Sequence, residues 1–196
     1  MKKSSLLIQS FPLCLSLFSL LLFSSFIHSA PFTKSGIQIQ VPSTWVLTPP
    51  SPNSMRAGEW KIPSLKKGED PGEFVLFHFG EGQGGDAQTN LNRWKNQVTN
   101  SQGAPAPAEI TVKEIQGLHI SQIQSFGTYV GMSALPGVPP TPKADCGFVG
   151  IVIEGGTEGS LFLRITGPQT LIKTLVPQIQ KMVETLKKID SIEKKK

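Results

Sequence analysis

The sequence predicts an α+β fold: a mainly antiparallel sheet of about six strands with helices packed on it. Three observations carry this expectation. The apolar segments run in the order strands, helix, strands, strands, helix. Two pairs of strands are joined by connections too short for a crossover, Gln116-Gly117 and residues 154–159, so each pair must be antiparallel. Residues 74–79 are apolar everywhere except His78, which suits a central strand covered on both faces.

Residues 1–30 stand apart from the fold. Lys2 and Lys3 precede an apolar run diluted only by serines, and His28-Ser29-Ala30 offers small residues for cleavage. This is the order of a secretory signal peptide. The run from 13 to 27 falls short of the roughly twenty residues that span a bilayer, so an uncleaved anchor is the lesser alternative and no stable membrane insertion is expected after cleavage. Residues 31–188 then form a single α+β domain and 189–196 a basic tail. The expected location is periplasmic or secreted.

Within the domain, Ile37-Gln38-Ile39-Gln40-Val41 alternates with period two, as a half-buried strand does. Pro42-Ser43-Thr44-Trp45 reads as a turn, and three prolines make residues 47–53 irregular. Residues 55–62 form a second strand and 74–79 a third. Ala87, Leu91, Trp94 and Val98 then fall on one helical stripe, with Asp86 placed as its N-cap. Strands follow at 110–115, 118–129, 147–153 and 161–166, with a proline-rich surface loop at 132–145. The last stripe, from Leu171 to Leu186, is a helix with Pro168 just inside its start. Pro177 within it should kink it or split it in two.

Charge excludes one class of partner. Between residues 32 and 186 the basic and acidic side chains balance, twelve against twelve, so the net charge of +5 belongs to the two ends. No face for nucleic acid follows from it. With residues 1–30 removed, Cys146 is the one cysteine left, so no intramolecular disulfide can form. Its apolar neighbours imply a buried, inert thiol and a monomer.

Gly80, Gly82 and Gly85 match the spacing of a dinucleotide-binding loop between a strand and a helix. Glu81 and Asp86 put negative charge where a pyrophosphate would need free helix amides, and antiparallel neighbours remove the β-α-β unit. The glycines read as a tight turn instead. A small polar ligand held at Gly82, Gly84 and Gly85, with Arg93 on the helix, is the remaining binding option. Hydrolysis has little support: Gly131-Met132-Ser133-Ala134-Leu135 is half a nucleophile elbow, and His78 and His119 lie in strands. No cofactor or metal is implied. Among the tryptophans, Trp94 belongs to the helical stripe and Trp45 seals a core edge. Trp60, beside Arg56, Glu59 and Lys61, reads as half-exposed and is the choice for a ligand or partner contact, with Arg56 next to it.

The run Gly80-Glu81-Gly82-Gln83-Gly84-Gly85-Asp86, followed by Asn90-Leu91-Asn92-Arg93-Trp94, resembles a group of small exported bacterial proteins. Val41-Pro42 with Trp45, Met55-Arg56-Ala57, Gly127-Thr128-Tyr129 and Thr166-Gly167-Pro168 accompany it in matching order. The fold of that group resembles the α/β/α sandwich of PsbP, the extrinsic photosystem subunit. Pro177 departs from the pattern. The resemblance implies a binding module without catalytic residues. The sequence therefore points to an exported, non-enzymatic interaction module whose partner is a protein or another cell-envelope component. A small-ligand binder using the 80–86 loop comes second and a hydrolase third.

Overall fold

The computed structural model describes residues 31–49, 55–131 and 139–189. The segment expected to be a signal peptide, half of the proline-rich 132–145 segment and nearly all of the basic tail lie outside the described residues.

Thirteen elements follow in chain order: β1 (Phe32–Lys34), β2 (Ile37–Ile39), β3 (Val46–Thr48), β4 (Arg56–Ile62), β5 (Gly72–His78), α1 (Ala87–Lys95), β6 (Val98–Thr99), β7 (Ala108–Ile115), β8 (Leu118–Tyr129), β9 (Lys143–Glu154), β10 (Leu161–Pro168), α2 (Gln169–Glu184) and β11 (Lys187–Lys188). The main sheet is eight-stranded, in the order β3-β4-β5-β10-β9-β8-β6, with β7 also paired to β8. Every pairing in it is antiparallel. A smaller sheet joins β1, β2 and β11.

The fold class is as the sequence implies, with α/β layers around an antiparallel sheet. The strand count is not: the main sheet has eight strands rather than about six. Val46–Thr48 is a strand although it overlaps the segment expected to be irregular, because the prolines begin only at Pro49. The short pieces β1, β6 and β11 carry too few residues for a periodic signal. Strand β9 begins at Lys143, inside the segment expected to be a loop.

Alternation splits the sheet's side chains between two cores. On one face Trp60, Ile62, Phe74, Leu76, Ile151 and Leu163 meet α2 and the small sheet. On the other, Ile123, Phe148, Val152 and Phe162 meet Leu91 and Trp94 of α1. Close approach fixes two glycines. A Cβ on Gly147 would lie 2.5 Å from Ile172, and one on Gly150 would lie 2.4 Å from the Trp94 ring. Each helix thus sits on a strand position that tolerates no side chain.

Helix α1 starts where Asp86 accepts the Thr89 amide at 2.7 Å and ends at Lys95, so Val98 belongs to β6. Pro168 is the N-cap of α2 rather than its first residue. Pro177 does not split α2, which runs as one helix. Pro177 and Lys173, whose carbonyl loses its helical donor, are both exposed, so water can take the place of the missing bond. Gln116 and Gly117 both have positive φ, 51° and 74°, the type I′ geometry of a two-residue hairpin.

Candidate functional site

Helix α1 packs mainly on β8 and β9, and among the described residues no helix lies over the β4-β5 part of that face. Trp60 and Ile62 point to the opposite core, so Glu59 and Lys61 must point here. By the same alternation Glu73, Val75 and Phe77 of β5 and Arg164 and Thr166 of β10 share this surface.

The charges form one linked group. Arg56 donates to Glu59 and, at 3.4 Å, to Glu73. Arg164 donates to the other Glu73 oxygen at 3.2 Å and lies over the Phe77 ring, 5.4 Å from its centroid. Burial works against the Arg56 charge, but Glu59 and Glu73 outweigh it and hold its pKa above the usual value. Val75 beneath is fully buried. Arg164 Nε is buried and makes no hydrogen bond among the described residues.

A cleft of about 820 Å³ opens beside this group, lined by Glu59, Lys61, Glu73, Lys143, Cys146 and Thr166 among others. Burial pushes the Cys146 thiol up, against the weaker pull of the Gly167 backbone and Lys143. Burial likewise raises the Tyr129 hydroxyl, with nearby Arg164 opposing it. A thiol held protonated is a poor nucleophile. What the site offers is fixed charges of both signs around an open floor.

The structure scatters the residues singled out in the sequence. Arg56 belongs to the ion-paired group. The half-exposure expected of Trp60 is a correction: it is 4% exposed and stacked on Phe74 at 4.8 Å between centroids, with its ring in the opposite core, although the residue also borders the cleft. Gly82, Gly84 and Gly85 lie in the exposed loop before α1, all with positive φ, and Gly84 has no room for a Cβ beside Phe162. Arg93 donates to Asn90 at 2.6 Å, and Asn90 in turn donates to the Gly84 carbonyl at 2.9 Å. The loop and Arg93 are thereby joined, but Asp86 already holds the first-turn amide a ligand would use. His78 bonds the Glu158 carbonyl at 2.9 Å, and His119 is exposed. Among the described residues no cluster of three or more His, Cys, Asp or Glu could hold a metal ion.

Sequence reasoning missed Glu59, Glu73, Arg164 and Lys143. A signal was present: Arg164 separates Leu161-Phe162-Leu163 from Ile165, and Glu73 precedes the apolar run of β5. A charge inside an otherwise apolar central strand marks a sheet face with polar surroundings.

LpqN of Mycobacterium tuberculosis, involved in cell envelope biogenesis, superimposes with a TM-score of 0.50 at 14% identity, covering 80% of this chain and 88% of that one. The likeness is one of fold. The solution structure of cyanobacterial PsbP (CyanoP) from Synechocystis matches with a TM-score of 0.49 at 10% identity, over 84% of this chain and 95% of that one. A Pseudomonas aeruginosa protein of unknown function, PA94, matches with a TM-score of 0.44 at 12% identity, over 81% and 95%. No protein-family model and no curated protein matches the chain. Among the described residues no helix is long and apolar enough to cross a membrane.

Proposed function

We propose that the chain is an exported binding module of the cell envelope, without catalytic activity, that takes a protein partner in the cleft beside Arg56, Glu59, Glu73 and Arg164. The carrying observation is a sheet face that no helix covers among the described residues and that is furnished with linked charges of both signs. An open groove of this kind suits a polypeptide surface, which presents both signs itself. Small-molecule sites are more enclosed and more apolar. The amino-terminal segment supports export, and the envelope role of LpqN, a protein of the same fold, supports the location. The loop at 80–86 offers a small ligand less, because Asp86 occupies the helix amide.

The test compares wild-type protein with Lys61→Glu/Lys143→Glu, two exposed substitutions at the cleft rim. Envelope extract is passed over both, and small carboxylates and amino acids are screened by thermal shift. A specific protein retained by the wild type and lost by the variant supports the cleft. Equal retention by both would refute it, and a saturable shift with a small molecule would transfer the role to the ligand-binding alternative.

A further inference from the structure

We propose that β7 is the contact of a symmetric homodimer, in which two copies pair their β7 strands antiparallel about a two-fold axis through Thr111. Among the described residues β7 pairs with β8 alone, so its other edge carries unmatched backbone groups. The side chains beside that edge are unusual for a free strand: Ile110 is 47% and Val112 71% exposed. They lie on the α1 face, in line with Ala108, which packs into that core. Glu109, Thr111 and Lys113 lie on the α2 face, where Lys113 reaches Glu184 at 3.7 Å.

Antiparallel geometry restricts how two such edges can meet. Opposed residues must share both face and hydrogen-bonding direction, so the axis passes through a residue and not between two. An axis at Val112 sets Ile110 against Glu114 and Thr111 against Lys113. An axis at Ile110 sets Glu109 against Thr111 and leaves Lys113 beyond the paired stretch. An axis at Thr111 places Ile110 opposite Val112 on one face and Glu109 opposite Lys113 on the other, each contact occurring twice. Of these three, this register alone matches apolar with apolar and acid with base. Opposite charges directly across a sheet attract and like charges repel, so the edge selects a second copy of itself. A second copy sets an acid opposite Lys113 and a base opposite Glu109 by symmetry, which an unrelated strand does only by chance of sequence. The contact extends one sheet through two molecules and departs from the monomer that the sequence suggests. It lies on the opposite side of the sheet from β4, so the cleft of the proposed function stays open in the dimer.

Sedimentation equilibrium of the purified protein tests the dimer, with Glu109→Lys, Lys113→Glu and the double exchange as variants. Both sites are exposed, and circular dichroism checks that each variant folds. Each single change puts like charges opposite one another twice and should weaken association about tenfold or more, and the double exchange should restore it. Thr111→Cys should crosslink to its own copy on oxidation, because the residue on the axis is the one that meets itself. A protein monomeric up to about 100 μM overturns the dimer. Association that the single variants leave unchanged, or that the double exchange fails to restore, overturns the β7 contact.

Discussion

Cys146 and Tyr129 carry groups that burial keeps from ionising, Cys146 at the wall of the cleft and Tyr129 beside Arg164. The native state holds those protons after the unfolded chain has released them, so stability must fall with rising pH. The loss begins near the ordinary cysteine value of 9.0 and deepens through the tyrosine value of 10.0. Denaturant titrations between about pH 8 and 11 should show this decline, shallower in Cys146→Ala and in Tyr129→Phe. An unchanged slope in both variants would place the cause elsewhere. Trp60 gives a second expectation at this scale. Its ring stacks on Phe74 and meets Phe32 edge-on, so Trp60→Ala should cost about 3–5 kcal/mol in equilibrium unfolding. A loss under 1 kcal/mol, the scale of an ordinary surface change, would contradict the buried position. The sequence suggested half-exposure because Glu59 and Lys61 flank the ring. Strict alternation was the better guide, since it groups Trp60 with Ile62 and sends both charges the other way.

The helices show where local rules held and where tertiary context overrode them. The stripe of Leu91 and Trp94 and the cap at Asp86 were legible because both depend on neighbours within one or two turns. The break expected at Pro177 was not realised, since α2 is fixed to the sheet by Leu171, Ile172, Ile179, Met182 and Val183 on the face away from the proline. Packing on both sides of Pro177 holds the helix in register while its solvent side lacks one bond. Pro177→Ala should restore that bond and raise stability by about 1–2 kcal/mol, less than the full helical cost because the unfolded chain also gains freedom. Thermal unfolding followed by circular dichroism measures it, and a lower melting temperature would mean that the proline is itself a packing element. The cleft was hidden for the opposite reason. Glu59, Glu73 and Arg164 come from three strands, and Glu73 and Arg164 meet only through the β5–β10 pairing, which no local pattern encodes.

For the whole molecule, one sheet serves two cores that do not touch. Trp45 and Trp60 report on the α2 side and Trp94 on the α1 side. Because the same strands build both, the two should unfold together, as in a cooperative single domain. Fluorescence of a protein retaining Trp94 alone, with Trp45→Phe and Trp60→Phe, should follow the same denaturant midpoint as its far-UV circular dichroism. Separated midpoints would show that the α1 layer melts first.

The strand order has one further effect, on how the chain finds its fold. β7, β8, β9 and β10 succeed one another as sequence neighbours, and so do β3, β4 and β5. The two runs join at a single seam, where Phe77 pairs with Phe162 and Leu76 with Leu163, residues from opposite halves of the chain. Each run can assemble over short loops, whereas the seam must close a long one first, and such closures slow folding. Substitutions in the β7–β8 hairpin, already formed when the seam closes, should therefore slow folding, as should those at the seam itself. The ion pair between Glu73 and Arg164 spans that seam, so the charges that furnish the cleft also lock the last join the chain makes.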